Sequence, residues 1–212
     1  MAHYMNKILV LLALFCLASQ AFAQTKSPVR PNELDMETLQ KAAAYLNKID
    51  TLQARFVQVD KRGNVVEGDL FINRPGKMRL AYDPPTPILI VADGNYIIYV
   101  DLELGEPSYL NINDTPAANL LEPEWSFTEE TVLVKSIERK PGIVEITAVQ
   151  ANDISAGELT FVFSEQPFEL RQWKVYEAQS EEITVTLFET RTGIELDPSL
   201  FDYKEDDVFE DD

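Results

Sequence analysis

The sequence predicts a mainly β protein, an antiparallel sandwich or barrel of about ten short strands preceded by one amphipathic helix. Three observations predict it. Many short runs alternate apolar and polar residues with period two. Turn sequences such as Gly63-Asn64, Asp93-Gly94 and Lys140-Pro141-Gly142 separate them at near-regular spacing. Only one long segment follows helical spacing.

That helix is expected over residues 34–49, where Leu39, Ala42, Ala43, Leu46 and Ile49 share one face and Asp35 is a candidate cap. Strands follow at 51–60, with Leu52, Ala54 and Phe56 on one face, and at 65–73 across the Gly63-Asn64 turn. Residues 77–82 resume the alternation with Met78, Leu80 and Tyr82 in phase. The runs 88–91 and 96–102 form a hairpin through Asp93-Gly94. Segments 131–139, 143–150, 157–163, 168–176 and 182–191 complete the series. One short helix is expected at 116–121, capped by Thr115, with Pro116 at the first helical position where proline is tolerated. Several strands, including 70–72, 88–91 and 96–100, are apolar on both faces. Periodicity by itself favours an ordinary two-layer core there over a ligand cavity. A curved sheet packed inside and partly covered outside has the same signature.

The N-terminus reads as a cleavable secretion signal. Lys7 gives a positive start, residues 8–18 are an unbroken apolar run, and Ala21-Phe22-Ala23 is a small-residue cleavage site. Eleven apolar residues at ~1.5 Å each cover roughly half a bilayer core, so the run is too short for an anchor. Leu14 and Phe15 before Cys16 are too bulky for a lipid-attachment site. Residues 1–23 are thus expected as signal, 24–33 as a leader, 34–204 as a single domain and 205–212 as an acidic, solvated tail.

Cleavage after Ala23 removes the only cysteine, Cys16, and the only histidine, His3. The remaining chain holds no disulfide, no Cys or Ser–His–Asp nucleophile and no zinc site built from nitrogen and sulfur. No enzymatic activity, cofactor or metal is expected; a carboxylate-dependent hydrolase is the one catalytic class left open. The formal net charge of −18 becomes −19 without Lys7. Such a surface repels nucleic acid and anionic headgroups.

The segment Gly68-Asp69-Leu70-Phe71-Ile72-Asn73-Arg74-Pro75-Gly76-Lys77-Met78-Arg79-Leu80-Ala81-Tyr82 carries the most information. It continues through Asp83-Pro84-Pro85 to Ala92-Asp93-Gly94, behind an upstream Phe56-Val57-Gln58. Together these resemble the periplasmic lipoprotein carrier family LolA of Gram-negative bacteria: a Gly-x-Leu strand, an Arg-Pro step, a Pro and an Asp-Gly hairpin, in that order. Phe201-Asp202-Tyr203 is similar to the family's aromatic-x-aromatic final strand. Met78 departs from the family's usual aromatic, and the acidic tail replaces its Pro-rich C-terminal loop.

The resemblance implies a half-open antiparallel barrel of ten or eleven strands with an α-helical lid. Its apolar cavity would shield the acyl chains of lipoproteins taken from an inner-membrane ABC transporter and handed to an outer-membrane receptor. The resemblance also implies that Arg74 bonds lid backbone and favours the closed state, and it places Met78 at the transporter contact. Taken alone, an arginine closing an apolar strand, as Arg74 does, usually reaches solvent or pairs with a carboxylate. Leu52, Phe56, Leu70, Ile72, Leu80 and Tyr82 are the candidate cavity residues by strand phase, and each also fits plain core. Trp125 fits lid or core. A carrier or sensor for another lipid on the same fold is the alternative.

Overall fold

The computed structural model describes residues 32–115, 120–127, 132–151, 153–155, 157–176 and 182–204. The expected signal, nearly all of the leader, residues 116–119 of the expected short helix, and the acidic tail lie outside them.

One helix, α1 (Glu33–Leu46), precedes eleven strands: β1 (Thr51–Asp60), β2 (Val65–Asn73), β3 (Lys77–Tyr82), β4 (Ile88–Asp93), β5 (Tyr96–Asp101), β6 (Glu106–Asn111), β7 (Val132–Lys140), β8 (Ile143–Gln150), β9 (Glu158–Glu165), β10 (Phe168–Tyr176) and β11 (Glu182–Thr192). The helix starts one residue earlier and ends three earlier than its apolar spacing suggested. Its cap is Asn32, not Asp35. Asn32 Oδ1 accepts from the Asp35 N–H at 3.0 Å, and the Asn32 N–H donates back to Asp35 Oδ2 at 3.3 Å. Asp35 is therefore the reciprocal member of a capping box.

All eleven strands form one antiparallel sheet in the order β6-β5-β4-β3-β2-β1-β11-β10-β9-β8-β7. Two meanders, β1–β6 and β7–β11, are joined by pairing of the first strand with the last. The free edges are β6 and β7, so the barrel is half open. Three bulges add curvature to the second meander. One lies at Lys135 in β7, one at Arg171 in β10, and the third faces Ala54 across the β1–β11 pairing, where Glu189 adopts φ 50°. The strand missed from sequence is β6. Its residues are almost all exposed, and Glu-Pro-Ser-Tyr-Leu-Asn shows no apolar alternation.

Inside the curve, α1 lies on the second meander. Tyr45 meets Phe163 and Phe168 edge-on, with ring centroids 5.8 and 6.2 Å apart, and Arg139 of β7 holds Asp35 at 2.9 Å. Gly68 permits the close approach on the other side. A Cβ there would fall 2.2 Å from the Ala81 carbonyl oxygen and 2.8 Å from the Phe56 ring.

Outside the curve, Leu89, Val91, Ile98 and Val100 form a second buried cluster with Ala81 and Tyr203 packed on it. The turn Pro198–Phe201 lies against β3 and β4, and Arg79 Nη1 donates to the Leu200 carbonyl at 3.2 Å. This explains why β4 and β5 are apolar on both faces. The C-terminal segment does the covering as a 3₁₀ turn and an extended tail, not as the expected final strand.

Candidate functional site

Side chains of β1, β3, β4, β5, β6, β9, β10 and β11 line a cavity of about 340 Å³. Leu80, Ile90 and Ile97 line one wall, and Leu159, Trp173 and Val185 line the other; Thr115 and Leu120 belong to the segment crossing from β6 towards β7. Among the described residues, no Asp, Glu, Lys or Arg lines it. A charge there would lack both water and a partner, so the hollow suits an uncharged apolar occupant.

Burial grades along the strands, and the grade gives the cavity direction. On β1, Leu52, Ala54 and Phe56 are buried while Gln58 is half-buried; on β3, Met78 and Leu80 are buried and Tyr82 half-buried. The antiparallel neighbours agree: Ala92 is buried and Ile88 half-buried, Leu187 buried and Ile183 half-buried, Trp173 buried and Val175 half-buried. Tyr99, at the same end of β5, is 38% exposed. One end of the hollow is therefore shut and the other more open.

Arg74 stands at the shut end. Its Nε donates to the Ile49 carbonyl at 2.8 Å, Nη1 to the Glu122 carbonyl at 3.3 Å, and Nη2 to the Leu46 carbonyl. Leu46 ends α1, whose last turn holds no basic residue of its own. The guanidinium from β2 thus supplies the positive charge and donors that helix carbonyls at a C-terminus need. Burial lowers the Arg74 pKa, and nearby Asp50 partly opposes this; an arginine stays charged all the same. Asn47 completes the tie. Its side-chain amide donates to the Trp125 carbonyl at 3.0 Å and accepts from the Trp125 N–H at 2.6 Å. The Gly76 N–H bonds the Leu121 carbonyl at 3.0 Å. The end of α1 and the crossing segment 120–127 are fastened to the β2–β3 turn as one unit. Trp125 sits in it, edge-on to Phe161 at 4.8 Å.

The other sequence candidates divide by position. Leu80 and Tyr82 line the cavity. Leu52 and Ile72 border a hollow of about 20 Å³ beneath Arg74, shared with Leu46 and Ile49. Phe56 and Leu70 lie in the core with 1% and 0% exposure, and neither is among the cavity-lining residues. Met78, which the resemblance placed at a transporter contact, is 5% exposed and lines the cavity. The strand phases did not single out Gln58, Tyr99, Trp173, Val175, Ile183 and Val185, all of them cavity-lining. Their alternation was visible. What was not visible was the β1–β11 pairing, which brings β10 and β11 round to face β3–β5.

Tyr82 and Gln58 are the polar pair in this wall. The Tyr82 hydroxyl donates to Gln58 Oε1 at 2.7 Å, and its ring meets Phe56 edge-on at 5.1 Å. Burial pushes the Tyr82 phenol up to about 12, against the smaller opposing effect of the Gln58 bond. Among the described residues no group of His, Cys, Asp and Glu is placed to hold a metal ion, and no helix is long and apolar enough to cross a membrane.

The family model "Outer membrane lipoprotein carrier protein LolA" matches residues 47–204. The chain belongs to the LolA family. An outer-membrane lipoprotein carrier protein of Methylococcus capsulatus is 26% identical over 219 residues, covering 97% of this chain and 98% of that protein. The carrier of Legionella pneumophila (strain Corby) is 24% identical over 208 residues, covering 94% and 95%. An uncharacterized protein of Rickettsia prowazekii is 26% identical over 207 residues, covering 97% and 91%. Among solved structures, a LolA superfamily protein from Nitrosomonas europaea aligns with a TM-score of 0.46 at 9% identity, covering 78% of this chain and 97% of that one.

Proposed function

We propose that this LolA-family chain is a periplasmic carrier that shields the acyl chains of lipoproteins in its cavity. On this reading it is exported by a signal cleaved after Ala23, leaves no membrane anchor, takes cargo from an inner-membrane lipoprotein-releasing ABC transporter and gives it to the outer membrane, through a receptor there. It performs no catalysis. The observation that carries the reading is the uncharged, one-ended apolar cavity in a half-open barrel. Each buried CH₂ contributes ~0.8 kcal/mol, so acyl chains cross water only when shielded.

Arg74 is assigned the control of release. Opening the shut end breaks its three carbonyl bonds, and that cost weakens the loaded state. Leu80 and Tyr82 are assigned to acyl contact in the closed form; Leu52 and Ile72 join them as the end beneath Arg74 opens, while Phe56 and Leu70 support the wall from behind. Met78 belongs with the cavity set, and a transporter reaches it only through the opened hollow. The test is to purify the protein from periplasm and identify bound material by mass spectrometry. Lipoprotein is expected on the native chain, and more of it on Arg74→Leu. Recovery of both proteins without lipoprotein while transport runs refutes the reading.

A further inference from the structure

In a mostly apolar wall, whose other polar lining residues are Tyr99 and Thr115, two side chains place hydrogen-bonding capacity side by side. Gln58 and Tyr82 bring three donor hydrogens, two on the amide nitrogen and one on the phenol. Their mutual bond consumes one. Turning the amide over exchanges which one is used, but two donors remain in either orientation. Among the described residues neither side chain has a second hydrogen-bond partner, and both face the cavity. The pair sits at the more open end, about 20 Å along β1 from Leu52 beneath Arg74.

We propose that Gln58 and Tyr82 form a station for the neutral carbonyl oxygens, ester or amide, at the head of an acyl ligand. This assignment rests on the carrier reading and adds an orientation to it. Carbonyls lie at the Gln58–Tyr82 end, and chain tails point towards Met78, Leu120 and the Arg74 end. The chemistry selects the ligand class. Two neutral donors complement a carbonyl acceptor. A carboxylate or phosphate would arrive with a charge that no cation among the described lining residues neutralises, beside a phenol that burial keeps protonated. A hydrocarbon without an acceptor would leave both donors unpaired against it.

The test displaces the neutral fluorophore N-phenyl-1-naphthylamine from the cavity with two synthetic lipopeptides. One carries two ester-linked palmitoyl chains and the other two ether-linked hexadecyl chains. The native protein is expected to prefer the ester by about 2- to 12-fold, the range for a single net hydrogen bond. Gln58→Leu and Tyr82→Phe are expected to erase that preference, read as the ester-to-ether ratio within each variant so that any change in fluorophore affinity cancels. An ether lipopeptide with an added N-palmitoyl amide separates the sources. Recovery of tight binding assigns the station to the amide carbonyl, and no recovery assigns it to the esters. Equal displacement by ester and ether forms of the native protein overturns the station and leaves the carrier reading intact. Failure of the native cavity to take fluorophore or either lipopeptide overturns both.

Discussion

Replacing Arg74 by leucine tests the mechanism at its most specific point. The side chain donates to the carbonyls of Leu46, Ile49 and Glu122. At about 1 kcal/mol net each, the bonds total roughly 3 kcal/mol. Two effects reduce this. The Leu46 carbonyl keeps a second bond, from the Ile49 N–H at 3.0 Å. The half-buried guanidinium also regains hydration when the shut end opens, as the lowered pKa reflects. About 2 kcal/mol of closing energy remains, a factor of roughly 30 in the open-to-closed ratio. Native-state hydrogen exchange reads it directly. The amides of Gly76 and Trp125, bonded to Leu121 and Asn47, are expected to exchange about 30-fold faster in Arg74→Leu. Amides at the β8–β9 centre should slow or quicken only with global stability. Arg74→Lys should recover part of the protection, because an ammonium supplies charge without the three-way fork. Unchanged exchange at Gly76 and Trp125 in Arg74→Leu would refute the assignment of Arg74 as the fastening of this end.

Other substitutions test the fold around the cavity. Gly68→Ala forces a Cβ to 2.2 Å from the Ala81 oxygen, so a loss of about 3 kcal/mol and ~6–12 °C in melting temperature is expected by circular dichroism. Phe201→Ala removes a fully buried ring from the C-terminal segment, and a loss of about 3–5 kcal/mol should appear as a lower denaturant midpoint at unchanged slope. The Tyr82 phenol is raised by burial to about 12, so the folded state holds a proton that the unfolded chain gives up near 10. Its contribution is complete below pH 10 and lost as pH rises from 10 to 12, a fall that urea titrations should show and Tyr82→Phe should lack. The hydrogen bond from Arg55 holds Asp83 below its usual 3.8, so its contribution is present above that pH and lost as pH falls through the lowered value; Asp83→Asn should flatten this part of the acid-unfolding curve.

The strands were readable because their physics is local. Leu52, Ala54 and Phe56 alternate with Gln53 and Arg55, Asp93-Gly94 turns a hairpin, and both appear where expected. Position β6 was unreadable for the same reason: an edge strand that buries almost nothing needs no apolar period, and its pairing with β5 supplies the evidence instead. The cap of α1 was misplaced by three residues because Asn32 and Asp35 are both good capping residues, and only the reciprocal bonds separate their roles. The apolar outer face of β4 and β5 was visible as an anomaly. Its cover was not, since a 3₁₀ turn around Pro198 and Phe201 has no pattern to match across a hundred residues. The same holds for the site. Leu80 and Tyr82 could be proposed from phase, whereas Trp173, Val175 and Ile183 enter the wall only through the β1–β11 closure.

The energetics of Arg74 and of the cavity bear on each other. A ligand that needs the opened form binds with an affinity reduced by the fraction of protein that is open. A closing energy of about 2 kcal/mol therefore weakens apparent binding by roughly 30-fold, although Arg74 is not among the residues lining the larger cavity. The acyl chains themselves gain ~0.8 kcal/mol per buried CH₂ in any apolar site, carrier or acceptor. Chain burial cannot then decide the direction of transfer, because it is common to both partners. The direction must come from terms that differ, and on the proposed carrier reading the fastening of α1 and segment 120–127, to which Arg74 contributes three bonds, is one such term. The consequence runs against the usual expectation for a mutated binding protein. Removing Arg74 should tighten the hold on a lipopeptide by up to about 30-fold and slow its release, without adding any contact to the ligand.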